Sequence, residues 1–336
     1  MTLLFMDGFE HYATADLSGK WDFRGGTFEE LGSSYGRFGT NGIRLYAAGA
    51  YLRKLISGSK STIYFGGAFY KASTGATSET TGSGMFRVYD ESQVLQVIVR
   101  LDPSYGFSVY RGDGTLLGSS SPGLVGDRQW HYLEVKVTIS DTVGVVEVKL
   151  DESQIINLTS RDTRNGSEYI GYVQISGEII NKYFYWDDIY IDDSQFQGNC
   201  HVKAFMPDSN GTYTDFTRSV GSNDYEAVDA NPPDDDTDYI YSSTDEDKST
   251  FGITTGSLET VKGMQLNNRL LLANAGVRTV KPVVRSNGTD YIGGVFPTII
   301  STPLFYSRIY ETDPDDSGAW TQTKLEAAEF GLKIES

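Results

Sequence analysis

Cysteine occurs once in this 336-residue chain, at Cys200, which excludes an intrachain disulfide framework and any zinc centre built on thiolates. Histidine is almost as scarce. His11, His131 and His201 are dispersed, with none at metal-ligand spacing from another. Basic residues number 28 against 45 acidic ones, for a formal charge of -17. That charge would repel a phosphate backbone, so neither nucleic acid nor an anionic membrane surface is expected as a partner. No run of 18 apolar residues occurs, and the opening MTLLFMDGFEHY lacks the basic start and long apolar stretch of a secretory signal. The chain is therefore expected to be assembled in a cytoplasm and not to insert into a membrane. A Gly-x-Ser-x-Gly elbow, a P-loop and a His-Glu-x-x-His zinc motif are all missing.

With 37 Gly, only 9 Pro and 13% aromatic residues, the composition suits many short twisted strands closed by tight turns. The clearest segment is GDRQWHYLEVKVTISDTVGVVEVKLD, from Gly126 to Asp151. Leu133, Val135, Val137 and Ile139 alternate with Glu134, Lys136 and Thr138; beyond Ser140 to Gly144, Val146, Val148 and Leu150 alternate with Glu147 and Lys149. A period of two with one polar face predicts a hairpin. Glu134 and Lys136 would lie opposite Lys149 and Glu147 as charge pairs worth about 0.2–1 kcal/mol each. Short strands follow the same logic at Tyr51 to Ile56, Ile63 to Tyr70, Met85 to Tyr89, Val94 to Leu101, Phe107 to Tyr110 and Thr115 to Leu117. The last four read as an antiparallel meander, and the polar stretch between Lys71 and Gly84 reads as a mobile rim loop.

The length calls for two domains. The polar SQFQGN, Ser194 to Asn199, marks the boundary near Gln197, giving domains 1–197 and 198–336. Alternating or apolar runs recur at Val261 to Leu272, Val277 to Arg285, Leu304 to Tyr310 and Phe330 to Ile334; only Leu325 to Glu329 has helical propensity. Four Asn-x-Ser/Thr matches, at Asn157, Asn165, Asn210 and Asn287, are read as turns, three of them being Asn-Gly. The expected fold class is all-β, two β-sandwich domains.

Candidate sites are few. Within YFYWDDIYIDD, Tyr185, Ile189 and Ile191 share one face with Asp187 by simple alternation. A carboxylate on an internal face needs hydrogen-bond partners or a cation, which makes Asp187 a candidate buried structural carboxylate. The belt from Asn223 to Asp247 carries ten carboxylates and no base. Its Asp234, Asp235, Asp236 and Asp238 are candidate ligands for calcium, which favours several oxygens; the bland reading is a solvated extended loop. No other cofactor is expected. Arg111-Gly112-Asp113 is read as a hairpin turn. Tyr35, Tyr46, Tyr105 and Trp320 either stack on sugar rings or fill the cores. Glycosidases of lectin-like sandwiches need a carboxylate pair, and the Glu-x-Asp-x-x-Glu strand of laminarinase-like glucanases is absent, so no enzyme is expected.

On MDGFEHY, GDRQWHYLEVKVTI, VVEVKLD and YWDDIYIDD, residues 1–197 resemble the concanavalin-A-like, laminin-G-like jelly rolls. HVKAFMPDSNGTYTDFTR, the acidic belt and ETDPDDSGAW with TKLEAAEFGLKI resemble the carboxy-terminal region of tailed-bacteriophage structural proteins that carry such a jelly roll ahead of it. The resemblance implies a non-enzymatic virion protein of tail, neck or head, acting by assembly and adhesion. Its partners would be other virion proteins, copies of itself and possible host-surface glycan, with residues 198–336 as the anchor. A carbohydrate-binding, lectin-like module for adsorption is the alternative it leaves open.

Overall fold

The computed structural model describes residues 2–26, 29–46, 49–72, 83–177, 184–234, 237–273 and 278–335. The loop expected between Lys71 and Gly84 falls largely outside them. Two compact units divide the chain: residues 1–10 with 21–202, and residues 11–20 with 203–336. The excursion of residues 11–20 into the second unit has no counterpart in the sequence reading, because nothing in a short apolar and polar mixture says which core it joins.

The first unit runs through β1 (Leu3–Asp7), β2 (Phe23–Gly25), β3 (Glu29–Gly32), β4 (Gly42–Leu45), β5 (Ala50–Lys60), β6 (Thr62–Lys71), β7 (Ser83–Tyr89), β8 (Leu95–Leu101), β9 (Phe107–Arg111), β10 (Leu116–Ser119), β11 (Trp130–Thr138), β12 (Gly144–Leu150), β13 (Ser153–Arg161), β14 (Ile170–Gly177) and β15 (Phe184–Asp192). An eight-stranded antiparallel sheet has the order β13-β12-β11-β6-β15-β4-β3, with β1 also pairing β15; a seven-stranded sheet has the order β10-β9-β8-β7-β14-β5-β2. The predicted meander is β7 to β10, neighbours in sequence and in space. Apolar inner faces meet between the sheets, as in the ring contacts Phe65–Phe86 at 4.7 Å and Phe69–Phe107 at 6.4 Å. Val135, Val146, Val97 and Ile175 fill the same core, fully buried.

The hairpin register is as read, Glu134 opposite Lys149 and Lys136 opposite Glu147. The charge pairs are not made. Glu134 is buried and accepts from the Tyr190 hydroxyl (2.6 Å) and the Gly198 N–H (3.0 Å), while the Lys149 ammonium lies 4.1 Å from the centroid of the Phe196 ring. A buried carboxylate takes whatever donors reach it, and here they come from β15 and the segment after it.

Strand β15 departs from simple alternation. Asp187 pairs with Ala68 and Tyr190 with Gly66, so three steps on β15 match two on β6, and Asp188 sits at φ +52°. This bulge flips parity. Phe184, Trp186, Ile189 and Ile191 enter the core, while Tyr185, Asp187 and Tyr190 face outward; the expected sharing of one face by Tyr185, Asp187, Ile189 and Ile191 is thereby corrected. Two glycines on β6 make room for it. A Cβ at Gly66 would stand 2.0 Å from the Tyr190 ring, and one at Gly67 2.6 Å from Ile189 Cδ1.

In the second unit the strands are β16 (Ser209–Thr214), β17 (Thr217–Arg218), β18 (Ile240–Tyr241), β19 (Lys248–Gly252), β20 (Met264–Leu270), β21 (Thr279–Ser286), β22 (Thr289–Ile292), β23 (Leu304–Tyr310) and β24 (Glu329–Glu335). A five-stranded antiparallel sheet, β16-β19-β24-β21-β22, is joined by the ribbons β20-β23 and β17-β18. Val280 and Ile334 from the sheet pack with Tyr306, Leu270 and Leu304 from the ribbon. Val284 and Phe330 pack with Trp320, Leu325, Met264 and Leu266. The β20-β23 ribbon is thus the second, narrower layer of an all-β unit. Residues 11–20 belong here through Lys20 Nζ to Asn267 Oδ1 (2.9 Å), the Arg269–Asp16 ion pair (2.6 Å) and His11 against Phe305. The helical stretch is α2 (Gln322–Ala327), capped by Thr321, which accepts from the Lys324 N–H; α1 is a single turn at Leu17–Lys20. Of the three Asn-Gly pairs within Asn-x-Ser/Thr matches, Asn287-Gly288 closes the β21-β22 hairpin with both residues at positive φ. Asn210-Gly211 instead lies within β16, and Asn165 bonds to the Leu95 carbonyl in a bend.

Replacing Gly66 by alanine is expected to destabilise the first unit by about 1–3 kcal/mol through overpacking against Tyr190. Val143→Ala, at an exposed hairpin tip, should stay within about 0.5 kcal/mol. Urea unfolding of the two variants checks the difference.

Candidate functional site

Cross-strand register on the eight-stranded sheet lines up one outward row across five strands. Trp130 pairs with Tyr70, Tyr70 with Tyr185, Tyr185 with Arg44 and Arg44 with Glu30. Partners in register point to the same side, so the row is continuous, and at about 4.8 Å per strand it spans about 19 Å. Tyr70 and Tyr185 stack with planes 5° apart and centroids at 5.4 Å; Trp130 lies 5.5 Å from Tyr70. Tyr35, from the turn after β3, extends the row at 4.9 Å from Tyr185. The Arg44 guanidinium sits over both Tyr35 (4.8 Å) and Tyr46 (4.7 Å) and is ion-paired with Glu30, which also accepts from the Tyr35 hydroxyl at 3.2 Å. Burial, with the Glu30 charge against the Arg44 charge, raises the Tyr35 pKa, so its hydroxyl stays a donor. All of these rings are half-buried. Ser34, Tyr70, Ala72, Trp130 and Tyr185 line a shallow depression of about 360 Å³ there. The arrangement offers flat aromatic faces with polar edges, which suits stacking on the C–H faces of sugar rings.

One step along the same face the surface is closed by the chain itself. Gln197 N–H donates to the Tyr190 hydroxyl (3.0 Å), Gly198 N–H to Glu134, Val202 N–H to Asp188 Oδ1 (2.8 Å), and Arg37 Nη1 to Asn199 Oδ1 (2.7 Å). Beneath this strap lies Asp187, fully buried. It accepts from the Arg37 N–H (2.7 Å) and the Asp188 N–H (2.7 Å), with the Thr40 hydroxyl at 3.4 Å. The carboxylate thus stands on the outward face, buried by the strap. Desolvation and the Asp188 charge push its pKa well up, outweighing the two N–H bonds. Asp188 is raised too, chiefly by burial, against its bond from Val202 and the nearby Arg37. His201 Nε2 is 4.0 Å from Asp188, and Cys200 Sγ donates to the Gln197 carbonyl at 3.3 Å.

The other sequence candidates separate. Asp238 lies beside Asp234, and burial together with that neighbour raises its pKa; Asp235 and Asp236 fall outside the described residues. Among the described residues no group of three His, Cys, Asp or Glu side chains is placed to hold a metal ion. His131 is buried, accepting the Gly126 N–H at Nε2 and bonding Asp151 through Nδ1 (2.7 Å), which orients the strand start. Arg111 is ion-paired with Asp113 and Asp162 at the β9-β10 turn. Trp320 is a core residue whose indole N–H donates to the Tyr310 carbonyl, and Tyr105 packs under the Lys71 ammonium. Of the four aromatics singled out from sequence, only Tyr35 and Tyr46 join the row. Tyr70, Trp130, Tyr185 and Arg44 were missed, because only the strand order makes them neighbours.

No family model matches the sequence, and no curated protein does either. Among solved structures the chain is similar to an endo-β-1,4-glucuronan lyase from the fungus Trichoderma reesei, at 10% identity and a TM-score of 0.43 over 57% of this chain and 96% of that one. An alginate lyase from a Chlorella virus gives 10% identity and a TM-score of 0.40, covering 52% of this chain and 95% of that one. A carbohydrate esterase from the Shiga toxin-encoding bacteriophage phi24B gives 12% and 0.36, covering 57% and 100%. At such identities the likeness concerns the β-sandwich fold. It corrects one expectation: the chain was read as no enzyme on the absence of familiar motifs, yet the structures it resembles include polysaccharide lyases.

The buried acid pair sets a pH dependence. A carboxyl whose pKa is raised on folding holds its proton in the native state, so stability is lost as pH rises above its ordinary 3.8 toward the folded value. That fall should be seen in the first unit's stability across its upper stretch, from about pH 7.5 to the folded value of about 9, with Asp187→Asn flattening the slope whatever its own melting temperature. Burial, then Lys20, depresses His11 below 6.5, so it is neutral in both states in that window and does not mask the effect. Thermal melts across that range check the sign.

Proposed function

We propose that this chain is a bacteriophage virion protein of tail, neck or head that acts by assembly and adhesion, its first unit holding surface glycan and its second anchoring it to the particle. The observation that carries the glycan-holding part is the in-register row Trp130, Tyr70, Tyr185 and Arg44, with Tyr35 and Tyr46 around it. Aromatic faces ordered by a sheet lose little conformational entropy when a ring docks on them. Sugars reward such platforms weakly, and many copies on one particle multiply a weak contact into firm attachment. Support for the particle itself comes from the sequence resemblance, strongest in the acidic belt and the carboxy-terminal segment.

Two measurements test the two halves of the reading. Mass spectrometry of purified particles is expected to find the protein, and its absence would remove the virion assignment. On a glycan array the full chain is expected to bind, with Trp130→Ala and Tyr185→Ala each weakening binding by about fivefold, the value of one lost stacking contact of about 1 kcal/mol. Unchanged binding by both variants would remove the row from the mechanism.

A further inference from the structure

The outward face of the seven-stranded sheet carries a different chemistry. Register places Phe23, Arg53, Gln174, Arg87, Ile98 and Tyr110 in one line across six strands. Arg53 is 8% exposed, Arg87 is 8% exposed and Gln174 is 2% exposed, so the floor of this face is polar and sunk below its rim. Around Arg53 stand three tyrosine rings, Tyr89 at 4.1 Å, Tyr51 at 5.1 Å and Tyr172 at 5.9 Å from its guanidinium carbon. Phe23, 41% exposed, packs edge-on to Tyr172 at 5.5 Å.

The partners of Arg53 are all neutral. Gln174 Oε1 accepts from Nε (3.1 Å) and Nη2 (2.8 Å), and Gln93 Oε1 accepts from Nη1 (2.9 Å). Gln174 is itself aimed by the Ser176 hydroxyl, which accepts from Gln174 Nε2 (3.4 Å) and from Arg87 Nη1 (2.9 Å). Gln93 reaches Arg53 from a turn where its backbone holds φ +64°, a conformation that costs a non-glycine residue and is retained here with the side chain engaged. Among the described residues no carboxylate pairs with Arg53. Arg37, Arg44, Arg111, Arg164, Arg218, Arg269 and Arg285, by contrast, each sit on an Asp or Glu. Among the described residues Arg53, 8% exposed, thus has no counter-charge in a chain with 45 acidic residues. Burying an unneutralised charge is costly, and the geometry retains it through neutral acceptors and ring faces that fix its orientation while leaving its charge unspent. Of its five N–H groups three are engaged, which leaves two for a ligand.

We infer that this face is a binding site for an acidic sugar, in which the carboxylate of a uronic acid residue takes the free N–H groups of Arg53 and the sugar ring rests among Tyr51, Tyr89, Tyr172 and Phe23. The planar guanidinium matches a planar carboxylate, and the aromatic rim supplies the apolar contact that a bare anion does not use. The site lies on the other sheet from the aromatic row and stands or falls independently of it.

The test is calorimetric titration of the full chain with short oligomers of galacturonate, glucuronate and mannuronate, alongside their carboxyl-reduced forms and a sulfated neutral oligosaccharide. At least one uronate is expected to bind, its carboxyl-reduced form at least about tenfold more weakly, and Arg53→Met at least about tenfold more weakly than the parent chain. Gln93→Ala, at an exposed turn outside the core, is expected to weaken the uronate several-fold while the variant still melts in one cooperative transition, which separates recognition from a failure to fold. No binding of any uronate, equal binding of the reduced oligomer, or full binding by both variants overturns the inference. Tighter binding of the sulfated oligomer overturns the carboxylate assignment.

Discussion

One extra residue in β15 governs what each face of the eight-stranded sheet displays. Strict alternation from Phe184 to Asp192 would carry Ile189 outward with Asp187, exposing an apolar side chain and leaving Tyr190 in the core. The bulge at Asp188 resets parity, so that Trp186, Ile189 and Ile191 all bury while Tyr185, Asp187 and Tyr190 stay on the outer side. It also changes β15's neighbour. Phe184 to Trp186 pair with β4, whereas the residues after the bulge pair with β1. The opposing Gly66 and Gly67 are the complement of this device, because the displaced Tyr190 and Ile189 occupy the volumes that their side chains would need. Tyr185, before the bulge, keeps its outward parity in line with Tyr70, so the aromatic row ends where the buried acid pair begins.

Strand positions in both units were legible because each carries a period-two pattern bounded by Gly, Asp or Asn, and the β11-β12 hairpin was readable down to its register. What alternation could not show was anything set by partners distant in the chain. Glu134 looked like a surface charge opposite Lys149, yet Tyr190 and Gly198, more than fifty residues on, claim it. The bulge is equally silent in sequence, since Asp-Asp contains no glycine to announce a positive φ. The row escaped for the same reason: Trp130, Tyr70, Tyr185 and Arg44 come from four strands, and only the order β11-β6-β15-β4 makes them neighbours. Function was less legible than fold, because missing motifs were read as missing chemistry.

The arginines show how an acidic chain spends scarce positive charge. Arg44 is neutralised by Glu30 and offers its flat face to Tyr35 and Tyr46, so it works as a stacking element with little net field. Arg53 has the same company of tyrosines but glutamine oxygens in place of a carboxylate, and its charge survives. Both residues are held by neighbours in register on a sheet, which locks their rotamers before any ligand arrives. The two faces therefore differ in one substitution of partner chemistry, a neutralised guanidinium on one and a charged guanidinium on the other.

The strap from Ser194 to Val202 decides which part of the eight-stranded sheet is open. Successive outward rows on that sheet are Trp130-Tyr70-Tyr185, Tyr132-Ala68-Asp187, Glu134-Gly66-Tyr190 and Lys136-Tyr64-Asp192. Phe196 packs edge-on to Tyr64, Gln197 and Gly198 bond the Tyr190 and Glu134 row, and Asn199 with Val202 closes over Asp187 and Asp188 through Arg37 and backbone N–H bonds. Three of the four rows are thus occupied by the chain's own backbone, which satisfies buried carboxylates that water would otherwise have to reach. The fourth has no such cover among the described residues, and it is the row made of aromatic rings. The strap thus binds this sheet face through the acid-bearing rows and stops short of the aromatic row.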